Sequence, residues 1–63
     1  MKALLFNSWD YEYDTLEKMT GEQLESLCQE NPDNTRMYPD LKSFQDAFND
    51  YEVSDEDFLF FVE

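Results

Sequence analysis

The excess of acidic over basic side chains is the feature that most constrains how this chain can fold. Sixteen Asp and Glu residues accompany four Lys and Arg residues, which gives a net charge of −12 over 63 residues. A domain of this size buries only about 60% of the surface that its unfolded chain exposes, and like charges on the remaining surface repel one another. The chain therefore needs a dense apolar core, and its stability should depend on salt.

The aromatic content decides between a folded and a disordered chain. High net charge with low hydropathy is typical of disorder, but eleven of the residues are Phe, Tyr or Trp. Each aromatic side chain can bury about 150–250 Å². The single glycine also argues against a flexible tail. We therefore predict one folded domain over residues 1–63.

Two segments near the N-terminus show strand patterns. Ala3–Phe6 is a short apolar run that suits a buried strand, and Trp9–Asp14 alternates aromatic with acidic residues. Alternation with a period of two is typical of a half-buried strand. We expect the two segments to form a hairpin, with Asp10, Glu12 and Asp14 pointing outward together.

Two helices are predicted from capping residues and apolar spacing. Thr20 and Gln23 have the spacing of a capping box, and Asn31-Pro32 ends that helix. The second helix has Asp40 as its N-cap and ends at Asn49-Asp50. Their expected buried residues are Leu24, Leu27 and Cys28 in the first helix, and Leu41, Phe44, Ala47, Phe48 and Tyr51 in the second.

The last apolar run completes the predicted fold. Phe58–Val62 contains five consecutive apolar residues, a pattern typical of a strand covered on both faces, so we expect it at the centre of the sheet. Thr35–Tyr38 is long enough for a very short strand. The predicted class is α+β, a single small domain with two helices packed on a small sheet in the order β-(β)-α-(β)-α-β.

The chain offers little for catalysis or metal binding. It contains no histidine, and a thiol such as Cys28 on an apolar stripe is a buried hydrophobe rather than a nucleophile. The acidic runs that begin at Asp10 and Asp50 lack the glycine and glutamate of an EF-hand loop. We expect no enzyme, no cofactor and no metal site.

The expected compartment and partners follow from the short apolar runs, the single cysteine and the small number of basic residues. The apolar run after Lys2 is too short for a signal peptide, and the lone cysteine suits a reducing compartment. We expect a complete cytoplasmic chain without a membrane segment, present as a monomer or weak homodimer. Too few Lys and Arg are present for direct binding to a nucleic-acid backbone.

Several stretches resemble a known class of proteins. They are Met19–Leu24, Asn31-Pro32, the run Leu41-x-x-Phe44-x-x-Ala47-Phe48-Asn49 and the aromatic terminal strand. The chain resembles the small uncharacterised acidic proteins carried by bacteria and their mobile elements, a resemblance that implies no activity. In size and charge alone, it is also similar to DNA-mimic inhibitors of the antirestriction or anti-CRISPR type.

Two functions remain open. In the first, a non-catalytic domain binds a protein with a basic surface, in the strongest form as a nucleic-acid mimic that inhibits it. In the second, a small structural or regulatory module associates through an apolar and aromatic patch, and the acidic surface serves only solubility. The candidate partner-binding residues for the first function are Asp10, Glu12, Asp14, Glu22, Glu25, Asp46 and Asp50.

Overall fold

Three antiparallel strands form the sheet on which the helices pack. The computed structural model describes all residues from Met1 to Glu63. The strand order is β2-β1-β3, and the predicted α+β class is confirmed. The elements are β1 (Lys2–Phe6), α1 (Tyr13–Glu17), α2 (Gly21–Glu30), β2 (Thr35–Tyr38), α3 (Leu41–Asn49) and β3 (Phe58–Val62).

The central strand is β1, and the prediction that Phe58–Val62 is central is wrong. The Ala3–Phe6 run is at most 2% exposed, and it pairs with β2 on one side and β3 on the other. Strand β3 forms over the predicted residues, but it lies at an edge with alternately half-buried and exposed side chains. An uninterrupted apolar run predicts a strand, but it does not determine whether that strand pairs with one neighbouring strand or with two.

The predicted strand over Trp9–Asp14 and its hairpin are also wrong. The side-chain Oδ1 of Asn7 accepts from the Trp9 N–H at 2.8 Å, and the Asn7 carbonyl accepts from the backbone N–H groups of Asp10 and Tyr11. These hydrogen bonds close a turn, as asparagine side chains commonly do. The chain then continues into α1, so Asp10 and the residues after it do not share one strand face.

Helices α1 and α2 cover one face of the sheet. The capping box is confirmed: Thr20 Oγ1 accepts from the Gln23 N–H at 3.2 Å, and Gln23 Oε1 accepts from the Thr20 N–H at 2.9 Å. Helix α2 ends at Asn31 as predicted. The core between these helices and the sheet consists of Leu4, Phe6, Leu16, Leu24 and Cys28.

Helix α3 covers the opposite face. Its predicted N-cap is confirmed, because Asp40 Oδ1 accepts from the Ser43 N–H at 2.7 Å. The Phe44 ring lies 5.9 Å from the rings of both Tyr38 and Phe61. Both of those residues are register partners of Ala3 in β1. The small Ala3 side chain therefore leaves room for Phe44 above the middle of the sheet.

The predicted buried face of α3 is only partly present. Ala47 is buried and Phe44 is half-buried, but Leu41 and Phe48 are exposed. Tyr51 lies beyond the helix at a φ of 61° and is 94% exposed. At about 100° per residue, Ala47 and Phe44 lie on the side of the helix that faces the sheet, whereas Phe48 and Leu41 lie farther around it and remain in contact with solvent.

Candidate protein-binding site

The acidic side chains of this protein are almost entirely without basic partners. A single ion pair forms, between Lys2 Nζ and Glu25 Oε1, so fifteen of the sixteen acidic side chains have none. Arg36 instead donates to the backbone carbonyl of Glu52 at 3.0 Å. Unpaired like charges on one small surface destabilise the folded state.

The predicted residues of the first segment are exposed, but they lie on a turn and a helix rather than a strand. Asp10 belongs to the turn, Glu12 is the N-cap residue of α1, and Asp14 lies in the first turn of that helix. Anionic side chains are favourable near a helix N-terminus. Glu12 and Asp14 therefore have a local structural explanation, since they lie at the N-terminus of α1.

The predicted residues on the helices form two separate groups. Glu22 and Glu25 lie on α2, whereas Asp46 and the C-cap residue Asp50 lie on or at the end of α3. Because α2 and α3 cover opposite faces of the sheet, the two pairs do not converge on one surface. Glu25 is also half-buried beside Lys2 and is less available to a partner than Glu22.

The largest groove in the molecule, the α2–β3 groove, lies between the beginning of α2 and the end of β3. It has a volume of about 540 Å³, within the usual range for binding pockets. A Cβ at Gly21 would lie 3.3 Å from Val62 Cγ1, so glycine lets the first turn of α2 approach β3. Apolar lining comes from Met19, Leu24, Phe60, Phe61 and Val62, and carboxylates come from Glu22, Glu25 and Glu63.

The lining of this groove suits the side chain of a lysine or arginine. Such side chains place their methylene stem on apolar surface and keep the charged group near water or a carboxylate. Glu22 and Glu25 were predicted from the sequence as partner-binding residues, but Glu63 was not. The only sequence signal for Glu63 was its position directly after an apolar strand. That position indicates a binding residue only when β3 is known to be an edge strand.

An exposed aromatic face lies on the α3 side of β3. It consists of Phe44, Phe48, Leu59 and Phe61. Phe48 is 53% exposed, Phe61 is 48% exposed and Leu59 is 38% exposed. The Phe44 ring lies 6.2 Å from that of Phe48 and 5.9 Å from that of Phe61, so the face is continuous. The second function left open by the sequence requires an exposed apolar face of this kind.

The one thiol of the chain is held inside the core. Burial raises the pKa of Cys28, and the charge of Glu25 raises it further, while a hydrogen bond with Thr35 partly opposes the shift. Its side chain is 5% exposed. A protonated, enclosed thiol does not act as a nucleophile at neutral pH.

Comparison of the chain with protein-family models, with curated proteins and with solved structures finds no match. None of the three helices has the length and apolar content that a membrane-spanning helix requires. No group of three or more His, Cys, Asp and Glu side chains is arranged to hold a metal ion. The exposed charges, the α2–β3 groove and the aromatic face are therefore the grounds for a functional proposal.

Proposed function

We propose that this protein is a non-catalytic binding domain whose carboxylates recognise a protein with a basic surface. The observation that carries this proposal is that fifteen of sixteen acidic side chains have no ion-pair partner within the chain. A basic partner would relieve the repulsion among these charges. It would also be steered to the domain by the field of the whole molecule, which mainly raises the association rate.

In its strongest form, this function is nucleic-acid mimicry. Duplex DNA carries one negative charge per about 1.7 Å of its axis, and a protein that holds DNA presents a matching array of Lys and Arg. Acidic residues of this domain lie on α2 and α3, on both sides of the sheet. The similarity in size and charge to DNA-mimic inhibitors belongs to this proposal. So does a cytoplasmic location, which the buried, unpaired Cys28 favours.

The aromatic face supports a second candidate function, association through an apolar patch. Phe48, Leu59 and Phe61 are exposed, and the Phe44 ring connects those of Phe48 and Phe61. Charge recognition alone does not explain why these residues are apolar. In this alternative, the carboxylates serve only solubility. The two functions differ in their response to salt, because screening weakens charge recognition and has little effect on apolar contact.

A capture experiment with matched variants distinguishes the two functions. The immobilised domain is incubated with cell lysate at low and high salt, and the captured proteins are identified by mass spectrometry. The charge variant combines Glu22→Gln, Asp46→Asn and Asp50→Asn. Glu25 stays unchanged because its amide would remove the ion pair with Lys2.

The control variant changes Gln29 and Gln45 to Asn, which alters two exposed amides without changing charge. The aromatic variant combines Phe48→Ala and Phe61→Ala. The proposal expects salt-sensitive capture of a basic protein, reduced about tenfold or more in the charge variant and unchanged in the control variant. Capture that resists salt and is lost only in the aromatic variant would replace charge recognition with patch association.

A further inference from the structure

Strand β3 has a free edge beside which no other strand lies. It pairs only with β1, and the backbone hydrogen bonds outside the regular elements include none from Phe58–Val62. Alternate N–H and C=O groups of an edge strand point away from the sheet and can pair with another strand.

Edge strands are normally protected by lysine, proline or a bulge, and β3 has none of these within its five residues. The opposite edge is different, because β2 contains Arg36 and is followed by Pro39. The free edge of β3 is therefore both the longer and the less protected of the two.

Each face of the sheet beside this edge offers a surface that side chains of an incoming strand can contact. On the α3 side, Leu59 and Phe61 are exposed and apolar. On the other side, Phe60 and Val62 line the α2–β3 groove with Glu22 and Glu63. An incoming strand alternates its side chains between these two sides. One side therefore favours apolar residues, and the other favours residues with a long stem and a positive charge.

The charges beside β3 decide which occupant fits. Asp55, Glu56 and Asp57 precede the strand and Glu63 follows it. Antiparallel pairing of two copies centred on Phe60 would place Asp57 of one copy opposite Glu63 of the other at both ends. Like charges directly opposite one another are destabilising, and each copy carries a net charge of −12. A second copy is thus disfavoured, and a basic segment is favoured.

We propose that β3 accepts an extended basic segment of the partner protein as a fourth strand of the sheet. This inference rests on the proposed function and adds its geometry. Main-chain hydrogen bonds to β3 hold the segment, as in other cases of strand addition. Its apolar residues lie on Leu59 and Phe61, and its Lys or Arg residues enter the α2–β3 groove.

The test uses a synthetic peptide of eight residues in which Lys and Val alternate. The matched control peptide has the same sequence with every backbone nitrogen methylated, so that its charge is kept and neither of its edges can pair with β3 as a strand. Amide hydrogen exchange of the protein is measured by NMR at low salt with each peptide. The expected result is at least tenfold protection of alternate amides in β3 with the first peptide only, and no change in β2.

Two variants of the protein locate the binding edge. Phe61→Lys and Met37→Lys both replace an exposed apolar residue of an edge strand and both add one positive charge. Phe61→Lys should raise the Kd of the peptide at least fivefold more than Met37→Lys does. Equal effects of the two variants would contradict binding at β3.

The outcomes separate this inference from the proposed function. If both peptides bind equally in a salt-sensitive manner and the β3 amides are unchanged, strand addition is wrong and charge recognition stands. If neither peptide binds at low salt, both are wrong. If the β3 amides are protected without peptide and the protein sediments as a dimer, a second copy occupies the edge and the inference is overturned.

Discussion

Among single residues, Cys28 shows most clearly how the fold changes the chemistry of a side chain. Burial raises its pKa by favouring the neutral thiol, and Glu25 acts in the same direction. A pKa that is higher in the folded than in the unfolded chain contributes stability below the ordinary thiol pKa of about 8.5. This contribution is lost as the pH rises through the folded value.

Cys28 should therefore be unreactive in the native protein and sensitive to alkaline pH. We expect a thiol reagent to label it at least tenfold more slowly in native buffer than in urea at pH 8. The free energy of unfolding, measured by urea titration, should fall between pH 7.5 and pH 9.5 in the wild type and less in Cys28→Ala. Rapid labelling of the native protein would show that the thiol is accessible and ionised.

Local signals at the residue scale predicted the ends of α2 and α3 well, but α1 was not predicted as a helix. The Thr20 and Gln23 hydrogen bonds and the Asp40 cap depend only on residues within one turn of each other. The alternation in Trp9–Asp14 gave a wrong strand prediction because a local turn at Asn7 competes with the strand. Asn7 forms hydrogen bonds that close a turn, and a six-residue pattern does not outweigh them.

Among the elements, the central strand β1 should contribute much more to stability than the edge strand β3 does. Phe6 on β1 is fully buried, and its ring packs edge-on against Tyr11 at 5.5 Å and Phe60 at 5.8 Å. Phe61 on β3 is 48% exposed. Phe6→Ala should cost about 3–5 kcal/mol, comparable with the total stability of roughly 3–9 kcal/mol expected for a domain of this length.

Phe61→Ala should cost less than half as much as Phe6→Ala, because much of its side chain already contacts water. Thermal unfolding followed by circular dichroism measures both. We expect Phe6→Ala to lose its cooperative transition and Phe61→Ala to keep it. The opposite order of stability would mean that β3, and not β1, is the centre of the sheet.

The bounds of β3 were predictable from its apolar run, but its position in the sheet was not. Strand order depends on contacts between residues far apart in sequence, such as Leu4 with Phe60 and with Met37. The same limit applies to the candidate site. Glu22, Glu25 and Asp46 were correctly expected to lie on helices, and Asp50 caps the end of α3. Only the fold shows that α2 and α3 cover opposite faces of the sheet.

For the whole molecule, net charge should control stability. At ~0.01 M salt the screening length is about 30 Å, which is comparable with the longest dimension of 29 Å, so that charges across the molecule repel one another. At 0.15 M it is about 8 Å. The Tm should therefore rise by several degrees over this range, and the triple variant of Glu22, Asp46 and Asp50 should show a higher Tm at low salt. A Tm independent of salt in both proteins would contradict this view.

Recognition of a basic partner by these charges is tested most directly by association kinetics. Stopped-flow measurement with the captured partner, from about 0.01 to 0.3 M salt, gives the association and dissociation rate constants of the wild type and the triple variant. We predict that the wild-type association rate falls steeply with salt, that the triple variant starts lower and falls less, and that dissociation changes little. Equal association rates and equal salt slopes for the two proteins would contradict the account.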